Sequence, residues 1–253
     1  MRRSREVLFV RLGVVALALV LLEGWTRTIR ESYVIIPPTM MVQALAILLT
    51  NERFWADIQT TLIEVGLSFI IAATIGFAVG VVLGLKPTLY NVIEPYLIAY
   101  YANPIFVFYP VFISFFGLTM IPIVIIAALA SVIGVIVNTA IGIKHVKPVY
   151  RKIGKTLGMS FIQILIRIYF PSAVPQIFTG LRLGLVYAFL ATITSEFLLA
   201  PRGVGHFIKF QYESFQAQWM YGAILLAVVV AISGNAILVR IENRLYNRRL
   251  EAI

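Results

Sequence analysis

Residues 119–143 form an almost continuously apolar run, and this run constrains the fold more than any other feature of the chain. A helix needs roughly 20 mainly apolar residues to cross a hydrocarbon core about 30 Å thick. Inside a bilayer, only helices and closed barrels pair every backbone N–H and C=O group. The run lacks the alternation of lipid-facing and lumen-facing residues that a barrel strand needs, so it predicts a membrane-spanning helix.

Five further apolar runs predict an all-α, polytopic membrane protein with about six transmembrane helices. The chain is 60% hydrophobic and 13% charged, which leaves too little polar surface to coat a soluble globule of 253 residues. Pro104 and Pro110 are expected to break the third span, and Pro122 to begin the fourth. The predicted spans are 7–23, 58–85, 91–113, 119–143, 172–199 and 220–240.

Basic residues set the expected orientation, because cytoplasmic loops carry an excess of Lys and Arg. With both termini inside, fourteen basic residues are cytoplasmic and five are external, while Arg11 and Arg182 belong to span ends or interiors. The net charge of +10 is therefore mostly a topology signal, and nucleic-acid binding is a poor interpretation of basic residues spread over separate loops and tails. The cytoplasmic set is Arg2, Arg3, Arg5, Lys86, Lys144, Lys147, Arg151, Lys152, Lys155, Arg167, Arg240, Arg244, Arg248 and Arg249, and the external set is Arg27, Arg30, Arg53, Arg202 and Lys209.

Two segments near the N-terminus allow more than one interpretation. A basic start followed by an apolar run also fits a cleaved signal peptide, but Ala16-Leu17-Ala18 lies inside the run rather than after it, so an uncleaved span is expected. The segment after Pro37-Pro38 has apolar residues at helical spacing. It predicts a short helix that either lies on the outer membrane face or packs on the other spans.

Residues that could perform covalent chemistry are nearly absent. The chain has no cysteine, and its two histidines, His145 and His206, fall on opposite sides of the membrane in the expected topology. Gly154-Lys155-Thr156 resembles the end of a phosphate-binding loop, but Val149 stands where that loop needs a further glycine. No catalytic residue, metal site or cofactor is therefore predicted, and the chain is not expected to be an enzyme.

Polar groups within the spans are candidates for a translocation path, since they are costly in lipid and usually face the protein interior. Glu64 in the second span is one candidate. Tyr100, Tyr101 and Asn103, around Pro104 in the aromatic third span, are the others, although aromatic residues also concentrate at membrane interfaces. Other ionisable groups have structural interpretations: Glu94 before Pro95 as a helix start, and Arg182 and Glu196 as groups that snorkel or cap near span ends.

Glycines repeat every fourth residue in two spans, which favours close approach of helix backbones. Gly76, Gly80 and Gly84 form one such face, and Gly180 and Gly184 form another. We expect both to pack within one subunit.

The long basic loop after residue 143 resembles the signature of binding-protein-dependent ABC transporter permeases. That signature is a Glu-Ala-Ala segment followed by a glycine, then an isoleucine and a proline. In detail the chain is similar to the nitrate, sulfonate and taurine branch, and the similarity also covers Ile36-Pro37-Pro38 and about 57–240. The matching residues are Gly158, Ile166 or Ile168, Pro171, Pro175, Gly180, Leu181, Arg182, Glu196 and the turn Arg202-Gly203-Val204-Gly205.

The resemblance implies a type I importer permease in which a cytoplasmic coupling helix, from about 149 to 158, docks on a separate ATPase. It implies an N-terminal span with an external segment (1–56), a transporter domain (57–241) that contains the coupling loop (144–171), and a basic tail (242–253). The chain departs from the signature because Lys152, Ile153 and Gly154 replace Glu-Ala-Ala. The predicted coupling residues are Tyr150, Arg151, Lys152, Ile153, Gly154, Lys155, Thr156, Leu157, Gly158, Pro171 and Pro175.

The implied partners are an ABC ATPase subunit, a second copy of this permease, membrane lipid and an external solute-binding protein that docks on 24–53 and 201–220. The implied cargo is a small sulfonate-like or nitrate-like anion, or an aromatic or pyrimidine-like compound, carried across a bacterial cytoplasmic membrane. Two alternatives stay open: anionic lipid alone could hold the basic loop, and the chain could be an ion-coupled secondary transporter or a channel.

Overall fold

The computed structural model describes residues 2–28 and 35–250, with side chains at 10, 13–28 and 35–244, and every regular element among them is helical. A 3-10 turn (Ile105–Phe108) joins α4 to α5, and a π-helical turn (Leu165–Tyr169) joins α8 to α9. The eleven α-helices are α1 (Arg2–Thr28), α2 (Pro38–Leu48), α3 (Glu52–Leu85), α4 (Pro87–Tyr101), α5 (Tyr109–Phe116), α6 (Met120–Lys144), α7 (Pro148–Thr156), α8 (Phe161–Ile164), α9 (Phe170–Leu199), α10 (Val204–Glu213) and α11 (Ala217–Leu250).

Helix α6 is the centre of the bundle and packs against both α3 and α9. The three glycines of α3 lie directly on α6: a Cβ added at Gly76, Gly80 or Gly84 would lie 2.6–2.7 Å from the Cβ of a side chain on α6. The glycines of α9 also lie directly on α6, where a Cβ at Gly180 would lie 2.8 Å from Asn138 Cβ. The predicted glycine faces are thus confirmed as close contacts within one chain.

The predicted break in the third span is present. Helices α4 and α5 meet at a bend of 70° around the segment 102–108, which contains Pro104. Proline has no N–H group for the helical ladder, so the helix ends just before it. The interpretation of Glu94 as a helix start is wrong, because α4 begins at Pro87, where a proline at the first helical position loses no hydrogen bond.

Four helices in the described part of the chain are long and apolar enough to span a membrane, or five if the bent pair counts as one span. The remaining predicted span, 7–23, falls in α1, where the side chains of several residues lie outside the described set. The count of six thus stays a prediction. The fifth span begins earlier than expected: helix continues from Phe161 to Leu199, whereas the sequence predicted 172–199.

Helix α2 packs on the bundle, which is the second of its two predicted placements. Ala44 and Leu48 are buried, and Gly222 of α11 lies against Ala44. Next to them, α10 joins the same apolar cluster through Val204 and Ile208. The short helices α2 and α10 therefore pack in one cluster with α11, and together they cap this end of the bundle.

Candidate functional site

Helix α7 (Pro148–Thr156) coincides with the predicted coupling helix, and its sequence fixes both ends. Pro148 occupies its first position, where the missing N–H group costs nothing. At the other end Gly158 has φ +70°, Met159 N donates to Gly154 O and Gly158 N donates to Lys155 O. These two bonds are the Schellman motif, in which glycine takes the left-handed conformation that other residues avoid.

The outer surface of α7 is unusual because it exposes large apolar side chains beside basic ones. Leu157 is 72% exposed, and Val149, Tyr150 and Ile153 are also exposed. The basic residues Arg151, Lys152 and Lys155 are exposed among them, and Thr156 is exposed too. An apolar patch with a basic rim on a short helix is a surface suited to a protein partner.

Gly154 is the one residue of 148–158 that is buried. A Cβ at Gly154 would lie 2.8 Å from Ile168 Cδ1 and 3.1 Å from Ile164 Cγ1, so the absence of a side chain lets α7 rest on the α8–α9 segment. A groove of about 470 Å³ opens beside this contact, lined in part by Tyr150, Leu157 and Arg167. Residues Pro171 and Pro175 belong to the first turns of α9 rather than to a loop, and Pro175 lines a second groove with Tyr150.

Tyr100, Tyr101 and Asn103 line one cavity of about 390 Å³, at the bend between α4 and α5. Tyr187 of α9 completes it: its ring meets the ring of Tyr101 edge to face, with centroids 5.2 Å apart and an interplanar angle of 89°. No charged side chain is among the lining residues, which are Tyr100, Tyr101, Ala102, Asn103, Pro104, Ile105, Phe106, Ala130, Ile133, Tyr187, Leu190, Ala191 and Thr194. The cavity thus offers aromatic faces and neutral hydrogen-bonding groups.

Glu64 does not line this cavity. It is 2% exposed and lies one helical turn along α3 from Thr61, beside Glu196, which is fully buried near the end of α9. Thr61 Oγ1 donates to Glu196 Oε1 at 2.6 Å, and Gly205 N donates to Glu196 Oε2 at 2.7 Å. We call Thr61, Glu64, Glu196 and the residues 203–205 the carboxyl cluster.

The sequence identified candidates on one side of each site, namely Tyr100, Tyr101 and Asn103 for the cavity and Glu64 for the carboxyl cluster. It did not assign the residues of α9 that complete each site. Tyr187 and Thr194 lie in a span with no local signal that separates them from other core residues, so their place in the cavity needed the fold. Glu196 was interpreted as a snorkelling or capping group because it lies near a span end, yet it is fully buried. The Gly203-Val204-Gly205 turn could have corrected that, because two glycines so close to an acidic residue allow backbone N–H groups to approach it.

Comparison with protein families matches residues 65–251 to the model described as "Binding-protein-dependent transport system inner membrane component". The chain is 28% identical over 251 residues to the taurine transport system permease protein of Escherichia coli (strain K12), covering 95% of this chain and 89% of that one. It is 25% identical over 243 residues to the formylaminopyrimidine transport permease protein of Halalkalibacterium halodurans, covering 96% of each chain.

A solved structure of the MetNI methionine ABC transporter, in an inward-facing conformation, has a similar fold. The TM-score is 0.64 with 15% sequence identity, and the match covers 79% of this chain and 95% of that chain. At that identity the likeness shows the fold alone. The all-α, type I permease architecture expected from the sequence is thereby confirmed.

Proposed function

The chain belongs to the family of binding-protein-dependent transport system inner membrane components and is the membrane-spanning permease of an ABC importer, and we propose that a separate ATPase drives it through α7. The alternative of an ion-coupled carrier or channel is not favoured, because the relatives are ABC permeases along nearly their whole length. The observation that carries the ATPase proposal is the exposed apolar and basic surface of α7.

The geometry of α7 supports docking to a protein rather than to lipid alone. Gly154 sits directly against Ile164 and Ile168, so α7 is fixed to the base of the long helix 161–199. A partner that binds Leu157 and its neighbours could then move the base of that helix as a unit, since packed helices shift as rigid bodies. The replacement of Glu-Ala-Ala by Lys152, Ile153 and Gly154 gives the docking surface a base where the family signature has an acid. We propose an ATPase groove that is acidic at the matching point.

We propose that both termini and α7 are cytoplasmic and that the cap of α2 and α10 is external. The excess of fourteen over five basic residues supports this orientation. It places α7 where ATP is available and the cap where a solute-binding protein would dock. Phe215, which is 90% exposed in the turn between α10 and α11, belongs to that outer surface.

We propose that the tyrosine cavity is part of the translocation path and that two copies of the chain face each other across it. Tyr101, Tyr187 and Asn103 supply hydrogen-bonding groups beside aromatic faces, and the lining carries no charge that would trap an ion. Such a path passes a solute without holding it tightly. The named relatives carry taurine and a formylaminopyrimidine, and the cavity suits a small sulfonate-like anion or a planar pyrimidine-like compound.

The test of the ATPase proposal is co-purification of the tagged permease with the ATPase encoded beside it. Gly158→Pro should abolish capture, because proline holds φ near −65° while Gly158 has φ +70°. Gly158→Asn is the matched control and should retain capture, because asparagine tolerates the left-handed conformation. Leu157→Asp should also abolish capture, whereas Phe215→Asp on the opposite end should not.

Two outcomes would overturn the proposal. One is a wild-type permease that purifies alone from cells containing the neighbouring ATPase and still imports solute. The other is equal loss of ATPase from the Phe215→Asp and Leu157→Asp variants, since general misfolding rather than docking would then explain both.

A further inference from the structure

Two acidic side chains meet in the interior of the bundle without a basic partner. Glu64 of α3 and Glu196 of α9 are 2% and 0% exposed, and Glu64 lies one helical turn along α3 from Thr61, whose hydroxyl is 2.6 Å from Glu196 Oε1, so the two carboxyl groups are neighbours in the interior. A carboxylate can only accept hydrogen bonds, so a bond between two carboxyl groups requires a proton on one of them. Two buried negative charges in contact would otherwise repel each other strongly.

No cation takes the place of that proton among the described residues. Lys209 of α10 donates to Leu198 O and lies 3.8 Å from Glu213, so it is engaged elsewhere. Arg202 is exposed. The other titratable groups that lie near the pair are Asp57 of α3 and Tyr109 of α5, and α6 contributes none before Lys144.

The hydrogen bonds around Glu196 identify it as the ionised member. Its two oxygens accept from the Thr61 hydroxyl and from Gly205 N–H, respectively. The Thr61 hydroxyl itself accepts from Val204 N–H at 2.9 Å, and of its two possible acceptors Glu196 Oε1, at 2.6 Å, is closer than Asp57 O, at 3.2 Å, which favours donation to Glu196. Val204 and Gly205 stand at the first turn of α10, a ten-residue helix whose N-terminal N–H groups favour a negative charge.

Glu64 has the opposite surroundings. Its Oε2 atom is fully buried, and no N–H or O–H group of the described residues donates to it. A charged carboxylate oxygen without donors in the interior is strongly disfavoured, whereas the oxygen of a neutral carboxyl group costs much less there. Glu196 therefore accepts two hydrogen bonds, whereas Glu64 Oε2 accepts none, and this difference favours the proton on Glu64.

We propose that the carboxyl cluster is a proton-binding site in which Glu64 carries the proton and donates it to the Glu196 carboxylate. The site joins three elements, because Glu196 is also bound to Thr61 of α3 and to Gly205 of α10. Asp57 Oδ1 accepts from Gly203 N–H at 3.1 Å and adds a further tie. The protonated cluster thus holds the turn between α9 and α10 against α3.

The glycines of the turn fit this role closely. Gly203 has φ +108°, and a Cβ added there would overlap the carboxyl group of Glu196. A Cβ at Gly205 would overlap Ile193 O and crowd Glu196 Cβ. The backbone can reach the carboxylate only because neither position carries a side chain.

Infrared spectroscopy of the purified full-length chain in lipid nanodiscs tests the assignment, because a protonated carboxyl group has its own C=O stretching band, which shifts in D₂O. We expect the wild type to show this band at neutral pH. Glu64→Gln should delete it and leave the chain folded, because the amide N–H can donate to Glu196 in place of the carboxyl O–H. Glu213→Gln, which changes an exposed carboxylate, should leave the band as it is.

Glu196→Gln should behave differently from Glu64→Gln. Its amide NH₂ would meet Gly205 N–H donor against donor, or it would face Thr61 and turn that hydroxyl away to Asp57 O at 3.2 Å; in either case Glu196 loses a hydrogen bond that it accepts, and we expect the folded yield to fall about two- to tenfold. The proposal fails if the wild type lacks the band, or if the band survives in Glu64→Gln. If Glu64→Gln does not fold, Glu64→Asp decides the question: it keeps a carboxyl group and should shift the band, and an unshifted band overturns the proposal.

Discussion

The contact between α3 and α6 gives a sharp prediction, because it depends on the absence of three side chains. We consider Gly80→Ala, which adds a single methyl group in the middle of the seam. That methyl carbon would lie 2.6 Å from Thr139 Cβ and 2.8 Å from Ile136 O. Non-bonded carbon atoms prefer separations of about 3.5–4.0 Å, so the helices must separate by roughly 1 Å.

A tilt of α3 cannot relieve this contact. Gly76 and Gly84 touch α6 one turn to either side, and a Cβ at each would come as close as 2.7 Å and 2.6 Å, respectively. Overpacking by a methylene-sized group costs about 1–3 kcal/mol. The matched control is Gly66→Ala on the same helix, where a Cβ has nothing within 4 Å. Both variants gain up to about 1 kcal/mol of helix propensity, so their difference isolates the clash at about 1–3 kcal/mol.

The measurement is thermal unfolding in detergent, followed by the fluorescence of the chain's three tryptophans. For a chain of this size 1 kcal/mol shifts the Tm by about 2–4 °C, so Gly80→Ala should unfold about 2–12 °C below Gly66→Ala. Equal melting temperatures would refute the reasoning, since the seam would then have room for a side chain. A Gly80→Ala variant that melts above Gly66→Ala would refute it more strongly.

Two further predictions concern contacts of α9. Removing the hydroxyl with Tyr101→Phe or Tyr187→Phe should raise the KM for uptake about two- to tenfold with the maximal rate retained, because a neutral hydrogen bond contributes about 0.5–1.5 kcal/mol. Tyr96→Phe, at an exposed tyrosine of α4, should change nothing, and an equal effect there would contradict the assignment of the cavity. Arg182 Nη1 lies 3.0 Å from Glu242 Oε2 of α11. A double-mutant cycle with Arg182→Gln and Glu242→Gln, measured from unfolding curves, should give a coupling energy of about 1 kcal/mol. A coupling energy near zero would show that the pair does not hold α9 to α11.

The sequence predicts what depends on local composition and local backbone chemistry. Apolar runs locate both ends of α6 to within one residue, whereas α3 begins six residues before its predicted span and α11 ends ten residues after its own. Gly158 marks the end of α7 because the left-handed position demands glycine. The bend at Pro104 follows from the missing N–H group. The prediction of a helix start at Glu94 fails because Pro95 is tolerated inside α4, where the bundle stabilises a helix that local preference would end.

What the sequence does not predict depends on contacts between distant residues. Tyr101 and Tyr187 are far apart in the chain, as are Thr61 and Glu196, and only the packing of α3, α6 and α9 brings each pair together. Position near a span end is a poor guide to exposure when a neighbouring turn folds over it, as residues 203–205 do over Glu196. The burial of Glu196 therefore depends on tertiary contacts and cannot be predicted from the apolar pattern of α9.

Helix α7 and the carboxyl cluster contact opposite ends of one helical stretch, 161–199. At a rise of 1.5 Å per residue, its 39 residues span roughly 58 Å, enough to cross a membrane and reach both faces. The π-helical turn Leu165–Tyr169 interrupts the regular hydrogen bonding close to the α7 contact, whereas α9 continues as regular α-helix to Leu199. A displacement at α7 would therefore be absorbed in part at that turn, and the remainder would reach the turn between α9 and α10. Because the carboxyl cluster holds that turn on α3, α3 and α9 are expected to move together at this end, while their relative motion is concentrated at the end that contacts α7.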